Sequence, residues 1–212
     1  MSRGLFVTFE GGEGSGKSSV IKKLVEELSK DFPILLTREP GGTKISEDIR
    51  NIILNKANVD MDYKTEALLY CASRRQHLIE KVIPALEKDV TVISDRYLDS
   101  SLVYQGYARG IGIDDVLSIN LFSIDECIPD FTFLFVVRPE VGLNRISSSA
   151  NREVNRLDLE KLEFHKKVFD GYMLLAEKFK DRIIKIDAEK PFEEVYKCVK
   201  DILAKRLKDH YE

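Results

Sequence analysis

The stretch Gly11-Gly12-Glu13-Gly14-Ser15-Gly16-Lys17-Ser18 fits the pattern G-x-x-x-x-G-K-[ST] at every fixed position. Its flanks say where it sits. Leu5, Phe6, Val7 and Phe9 make an apolar run of strand length before it, and Val20, Ile21, Leu24, Val25 and Leu28 recur at helical spacing after it. The glycines therefore fall on a strand-to-helix turn. Their dihedral freedom lets successive N–H groups point inward at an anion, and the helix N-terminus behind adds partial positive charge. Gly11 to Ser19 is the expected cradle for nucleotide phosphates. Lys17 is placed to reach the β- and γ-phosphates, and the Ser18 hydroxyl to ligate Mg²⁺.

Four more strand-like runs follow: Ile34–Thr37, Val90–Ser94, Phe131–Val137 and Ile183–Ile186. They are rich in β-branched and aromatic residues without strict alternation, as strands buried on both faces are. Helical patterns separate them. One runs from about Tyr63 to Leu86, with Pro84 as a kink, and one runs from about Leu159 to Leu175. Strands alternating with helices predict a doubly wound, parallel five-stranded α/β sheet flanked by helices. At 212 residues this is one domain. The segment from about 145 to 156 is small, polar and weakly periodic, and is expected to be a mobile lid.

A net charge of −3 provides no global field for nucleic acid or an anionic membrane, so phosphate binding must come from local arginines. Three scattered cysteines make no disulfide framework and no metal spacing. No apolar run reaches membrane-spanning length and no signal peptide is evident, so the cytoplasm is the expected compartment.

Two further motifs stand at strand ends, where doubly wound sheets bind ligands. Thr37-Arg38-Glu39-Pro40-Gly41-Gly42-Thr43 puts Arg38 at that edge. Asp95-Arg96-Tyr97 puts there an acidic residue suited to Mg²⁺, directly or through water, and a second arginine. Tyr70 and Arg74, four apart on a helix, offer a ring and a guanidinium to a base. Asp99 to Gly106 adds hydroxyls and an amide able to read a base edge. Asn55-Lys56-Ala57-Asn58 lacks the Asp of the guanine-reading N-K-x-D and is set aside.

Together FEGGEGSGKSS, TREPGGT, EALLYCASRRQH, DRYLDSSLVYQGYARG and NRLD resemble the bacterial thymidylate kinases, in order and over nearly the whole chain. The resemblance implies the P-loop NTPase fold and γ-phosphoryl transfer from ATP to dTMP, giving dTDP and ADP, with Mg²⁺. It also implies a homodimer. It assigns Glu13 to the sugar 3′-hydroxyl, and Arg38 and Arg96 to the dTMP phosphate. Arg50 joins the acceptor-side basic cluster. Arg74, Ser101 and Gln105 read the thymine edge, Tyr70 stacks on the base, and Tyr104 crowds the ribose 2′ position. Arg145, Arg152 and Arg156 fall in the lid region. Arg145 is taken as a contact to the donor nucleotide and Arg152 as the arginine on the transferring phosphate. With no basic residue at Glu13, Gly14 or Ser15, the transition-state charge must come from the lid.

Two alternatives share these motifs. One is a deoxynucleoside kinase, which would need a base for its 5′-hydroxyl rather than a phosphate clamp. The other is an ATP-dependent switch or binding module, in which a base-reading cluster would have no purpose.

Overall fold

The computed structural model describes residues 3–147, 156–157 and 160–212. Five parallel strands lie in the order β2-β3-β1-β4-β5. They are β1 (Phe6–Gly11), β2 (Ile34–Arg38), β3 (Thr91–Asp95), β4 (Phe131–Val136) and β5 (Ile183–Asp187). The helices are α1 (Lys17–Leu28), α2 (Lys44–Leu54), α3 (Tyr63–His77), α4 (Ile83–Leu86), α5 (Leu98–Ser101), α6 (Ile113–Ile124), α7 (Pro139–Ser147), α8 (Leu162–Lys178) and α9 (Phe192–Tyr211). The expected doubly wound parallel sheet is the one observed. Among the described residues no helix is long and apolar enough to cross a membrane.

Side chains alternate across β1, and the two sets meet different cores. Val7 and Phe9 join Val20, Leu24, Phe133, Phe135 and Val199 under α1 and α9. Phe6 joins Val92, Leu102, Leu134, Val168 and Leu175 on the opposite face, under α8 and the helical stretch after β3. Thr8 and Glu10 share that second face, and both are fully buried.

Three local features depart from the sequence reading. β1 extends through Glu10 and Gly11, because both pair in register with Leu134 and Phe135 of β4. The long helix is interrupted earlier than a simple proline kink implies: a π-helical segment, Leu78–Val82, precedes α4, and Pro84 sits in the first turn of α4. Pro84 has no N–H to close on the carbonyl of Glu80, so the chain changes hydrogen-bond register there. The residues after Asp95 are also helical: α5 runs directly into a π-helical segment, Leu102–Ala108. That turn carries the side chains of the acceptor-side motif inward.

The phosphate loop is packed backbone to backbone against α7. A Cβ on Gly14 would lie 2.1 Å from the Gly142 carbonyl oxygen, and one on Gly142 would lie 2.3 Å from that of Glu13. Gly142→Ala gives a test with a clear sign. Inside a free helix this change stabilises by about 1 kcal/mol. Here we expect a loss of roughly 1–3 kcal/mol, the scale of overpacking, and a weaker ATP affinity. Urea denaturation and ATP titration measure both, and a stabilised variant with normal ATP binding would refute the contact.

Candidate active site

The carboxyl ends of β1, β2 and β3 set the site, with Phe9 and Arg38 both in register with Asp95. From β1 the chain enters the glycine-rich loop, where Gly11, Gly14 and Gly16 all have positive φ. Gly16 caps α1 in the left-handed conformation, a geometry that a β-carbon would strain. Lys17 opens α1 and folds back over the loop, its Nζ 3.4 Å from both the Gly11 carbonyl and Ser15 Oγ. Burial and the nearby Arg96 push its ammonium pKa down, against the pull of Asp95, Glu13 and Glu10. An anion in the loop offsets that burial cost. Ser18 Oγ donates to Asp95 Oδ2 at 2.7 Å. These two oxygens, one on α1 and one at the end of β3, form a hard donor set. It fits Mg²⁺, which takes one or two protein oxygens and completes its shell with water and phosphate.

A cleft of about 400 Å³ runs from this loop to the acceptor-side motifs. Glu13 to Ser19, Arg38, Arg50, Tyr70, Arg74, Asp95, Arg96, Tyr104 and Gln105 all line it. The sequence candidates are thus brought together from six elements of the chain. Ser101 is buried behind this wall, accepting from Arg74 Nη2 at 3.0 Å. Gly11 and Gly12 shape the loop without lining the cleft. Arg145 lies in the last turn of α7 and donates to the carbonyls of Ala188 and Glu189 beyond β5. Arg152 lies outside the described residues.

Arg96 is held by many contacts. Its backbone is left-handed, φ 71°, a conformation that costs a non-glycine residue about 1–3 kcal/mol. Nη2 donates to Glu13 Oε1 at 2.7 Å; Nη1 donates to the Gly11 carbonyl at 3.0 Å and to Ser100 Oγ and Tyr172 Oη, each at 3.2 Å. The guanidinium lies 5.3 Å from the Tyr104 ring centroid, within cation–π range. Tyr104 Oη also donates to Glu13 Oε1 at 3.2 Å. Arg96, Glu13 and Tyr104 therefore form one unit across the cleft.

On the acceptor side, Arg38 pairs with Glu47 at 2.9 Å and is half-exposed, and Arg50 donates to the Pro40 carbonyl. Arg74 is buried, and most of its donors are engaged. Nε donates to Glu39 Oε2 at 2.8 Å, Nη1 to Asn120, and Nη2 to the Tyr97 carbonyl and Ser101 Oγ. Burial alone would raise the Glu39 carboxyl pKa; Arg74 and the His77 hydrogen bond outweigh it and hold it low. Arg74 is thus a preorganised guanidinium at the cleft wall, not a swinging side chain. Gln105 is fixed too, donating to Glu66 Oε1 at 2.9 Å. The same buried Glu66 accepts from Arg156, whose Nε also donates to the Ile53 carbonyl. Arg156 is therefore pinned to α2 and α3, with Leu157 beside it on the cleft wall.

Residues 9–199 match the family model described as thymidylate kinase. The chain belongs to the thymidylate kinase family. It is 57% identical to the thymidylate kinase of Clostridium novyi (strain NT), over 96% of this chain and 100% of that protein. It is 55% identical to that of Geobacillus sp. (strain WCH70), over 92% and 93% of the two chains. A thymidylate kinase from Ehrlichia chaffeensis has a similar solved structure: TM-score 0.78 and 31% identity, covering 95% of this chain and 99% of the other. As a member of this family the chain is a nucleoside monophosphate kinase, a transferase.

Sequence reasoning missed Glu10, which directly precedes the glycine-rich loop and interrupts the apolar residues of β1. The available signal was the polar pair Thr8 and Glu10, spaced two apart in a strand buried on both faces. The Glu10 carboxyl pKa is raised from 4.5 to about 6, mainly by burial and then by Asp99; Arg96, Ser100 and Tyr172 oppose the shift. An acid with a raised folded pKa stabilises fully below its unfolded value, and that stability is lost as pH rises through the folded value. We therefore expect Glu10 to cost on the order of 2 kcal/mol between about pH 4.5 and pH 6. Urea midpoints for wild type and Glu10→Gln across this window measure the difference. Parallel pH profiles would contradict it.

Proposed function

We propose that this chain transfers the γ-phosphoryl group of ATP to dTMP, giving dTDP and ADP, with Mg²⁺ held at Ser18 and Asp95. The observation that carries the reading is that one cleft joins Lys17 and Ser18 of the phosphate loop to Arg38 and Arg96 opposite. The loop holds the donor phosphates, and the two arginines clamp the acceptor phosphate. Phosphoryl transfer needs this in-line placement and positive charge on the equatorial oxygens more than acid–base chemistry. Ser18 and Asp95 supply oxygens for Mg²⁺, which screens the β- and γ-phosphate charge.

Glu13 faces the acceptor sugar, with Tyr104 beside its 2′ position. Tyr70 stacks on thymine, and Arg74 and Gln105 set the donor and acceptor pattern at its edge, with Ser101 acting from behind the wall through its hydrogen bond with Arg74. The rigidity of Arg74 supports this, because a fixed donor penalises a base that presents another donor. The stretch from about 145 to 156 acts as a lid, with Arg152 on the transferring phosphate and Arg145 on the donor nucleotide. Its small, polar composition and the family resemblance support this; residues 148–155 lie outside the described residues, and the anchored Arg156 marks the end of the stretch.

The enzyme works in the cytoplasm as a homodimer. Support for the dimer comes from Leu68 on α3, 57% exposed, and Phe122 on the adjoining α6, 90% exposed. Exposed apolar groups of this kind mark contact surfaces.

A nucleoside monophosphate panel with ATP and Mg²⁺ tests the activity. Chromatography should show ADP with dTDP; ADP with free phosphate would make the protein an ATPase. We expect dUMP to be used modestly less well, because a thymine methyl is worth roughly 1–3 kcal/mol. We expect dCMP to be used far less well, because its amino group faces Arg74. Equal use of dCMP would overturn the base-reading assignment. Lys17→Ala should keep the fold and lose at least about a hundredfold in single-turnover rate; near-normal turnover would remove Lys17 from the mechanism.

A further inference from the structure

We infer that Glu10 is a positioning residue for Arg96, acting through the hydroxyls of Ser100 and Tyr172. Four donors converge on its carboxylate. Oε1 accepts from the Tyr97 N–H at 2.8 Å and the Ser100 N–H at 3.2 Å. Oε2 accepts from Ser100 Oγ at 2.6 Å and Tyr172 Oη at 2.9 Å.

The direction of these bonds matters. A hydroxyl has one hydrogen to give. The hydrogens of Ser100 and Tyr172 point at Glu10, so only lone pairs remain to face Arg96. Arg96 Nη1 uses them, donating to both hydroxyls at 3.2 Å. The carboxylate thus sets the polarity of two hydroxyls and, through them, the guanidinium. Its backbone partners lie immediately beyond Arg96, at Tyr97 and Ser100, where they hold the left-handed turn of that residue. The neighbouring Gly11 carbonyl accepts from the same Nη1 at 3.0 Å.

The surrounding charges leave this role to Glu10. Asp99 on α5 also acts on Glu10, but its own oxygens are taken by Arg182 at 2.7 Å and by Thr132. Lys17 on α1 acts on Glu10 only through space, and Tyr172 and Tyr104 are protonated phenols held well above their ordinary range by burial. Glu13 binds the other guanidinium nitrogen directly, from the cleft side. Arg96 is thus fixed from both sides, by Glu13 in the cleft and by Glu10 from the core.

The inference rests on the reading of Arg96 as the clamp on the acceptor phosphate, and the experiment separates the two. Glu10→Gln preserves shape and still accepts at Oε1. Its amide would donate to the two hydroxyls and free their hydrogens to point at Arg96. We expect kcat/KM for dTMP to fall at least about tenfold, the scale of one charge-assisted hydrogen bond, with the ATP KM within about twofold of wild type. Tyr172→Phe and Ser100→Ala should each shift dTMP efficiency in the same direction, by less. The double variant Glu10→Gln/Tyr172→Phe should be less impaired than the product of the single effects, because both act on one relay. If Arg96→Ala loses dTMP efficiency while Glu10→Gln and Tyr172→Phe keep the wild-type dTMP KM, the inference fails and the clamp stands. If Arg96→Ala impairs ATP and leaves dTMP kinetics unchanged, both fail. A purely structural role would lower kcat with the amount of folded enzyme and leave both KM values unmoved, which also overturns the inference. Should Glu10→Gln not fold, Tyr172→Phe and Ser100→Ala decide through the same split.

Discussion

A carboxylate at the end of a central strand, closed off from water, must be met by donors from whatever packs over it. Glu10 imposes that demand, and three parts of the chain answer it: the backbone after Arg96, the Ser100 side chain and the Tyr172 hydroxyl of α8. The answer fixes where α5 begins and how deeply α8 sits against the sheet. It also leaves Arg96 in a backbone conformation that no local preference would select. The active site therefore depends on a polar interaction inside the core more than on the apolar packing around it. Two of the groups that answer Glu10 belong to the site itself.

The acceptor wall follows the same logic with the charges reversed. Arg74 is held by Glu39, Asn120, Ser101 and a backbone carbonyl, and Glu66 gathers Gln105, Arg109 and Arg156. A buried charge left alone is expensive, whereas a paired one is fixed in place. Side chains that face a base or a phosphate here therefore have little freedom to lose when the ligand arrives, which is the energetic value of preorganisation.

Local signals explain what the sequence made legible. The glycine-rich turn, the five parallel strands and the strand-end Arg38 and Asp95 all follow from spacing and periodicity, and the structure has them at one sheet edge. Pairings between distant residues were not legible. Nothing near Glu66 in sequence announces Arg156, ninety positions away. Nothing near Arg74 announces Glu39 or Asn120. The helical turn of Leu98–Ser101 was also missed, because its side chains read as a polar motif with little apolar periodicity. Glu10 was hidden for the opposite reason. In an apolar stretch a single acid reads as an interruption, and only the partners brought by α5 and α8 show why it is there.

The contact between Gly14 and Gly142 bears on how sequences of this fold can drift. The first lies in the phosphate loop and the second in α7: a β-carbon on Gly14 would run into the Gly142 carbonyl, and one on Gly142 into the carbonyl of Glu13, the residue before Gly14. The two positions form an epistatic pair. A side chain at 142 is admissible only in a chain whose loop has already drawn back, and a loop that has drawn back no longer shapes the phosphate cradle. Single-step substitution at either position is closed from both directions. An insertion or a shift of the start of α7 opens a path instead, so divergence there is expected as changes of length before changes of residue.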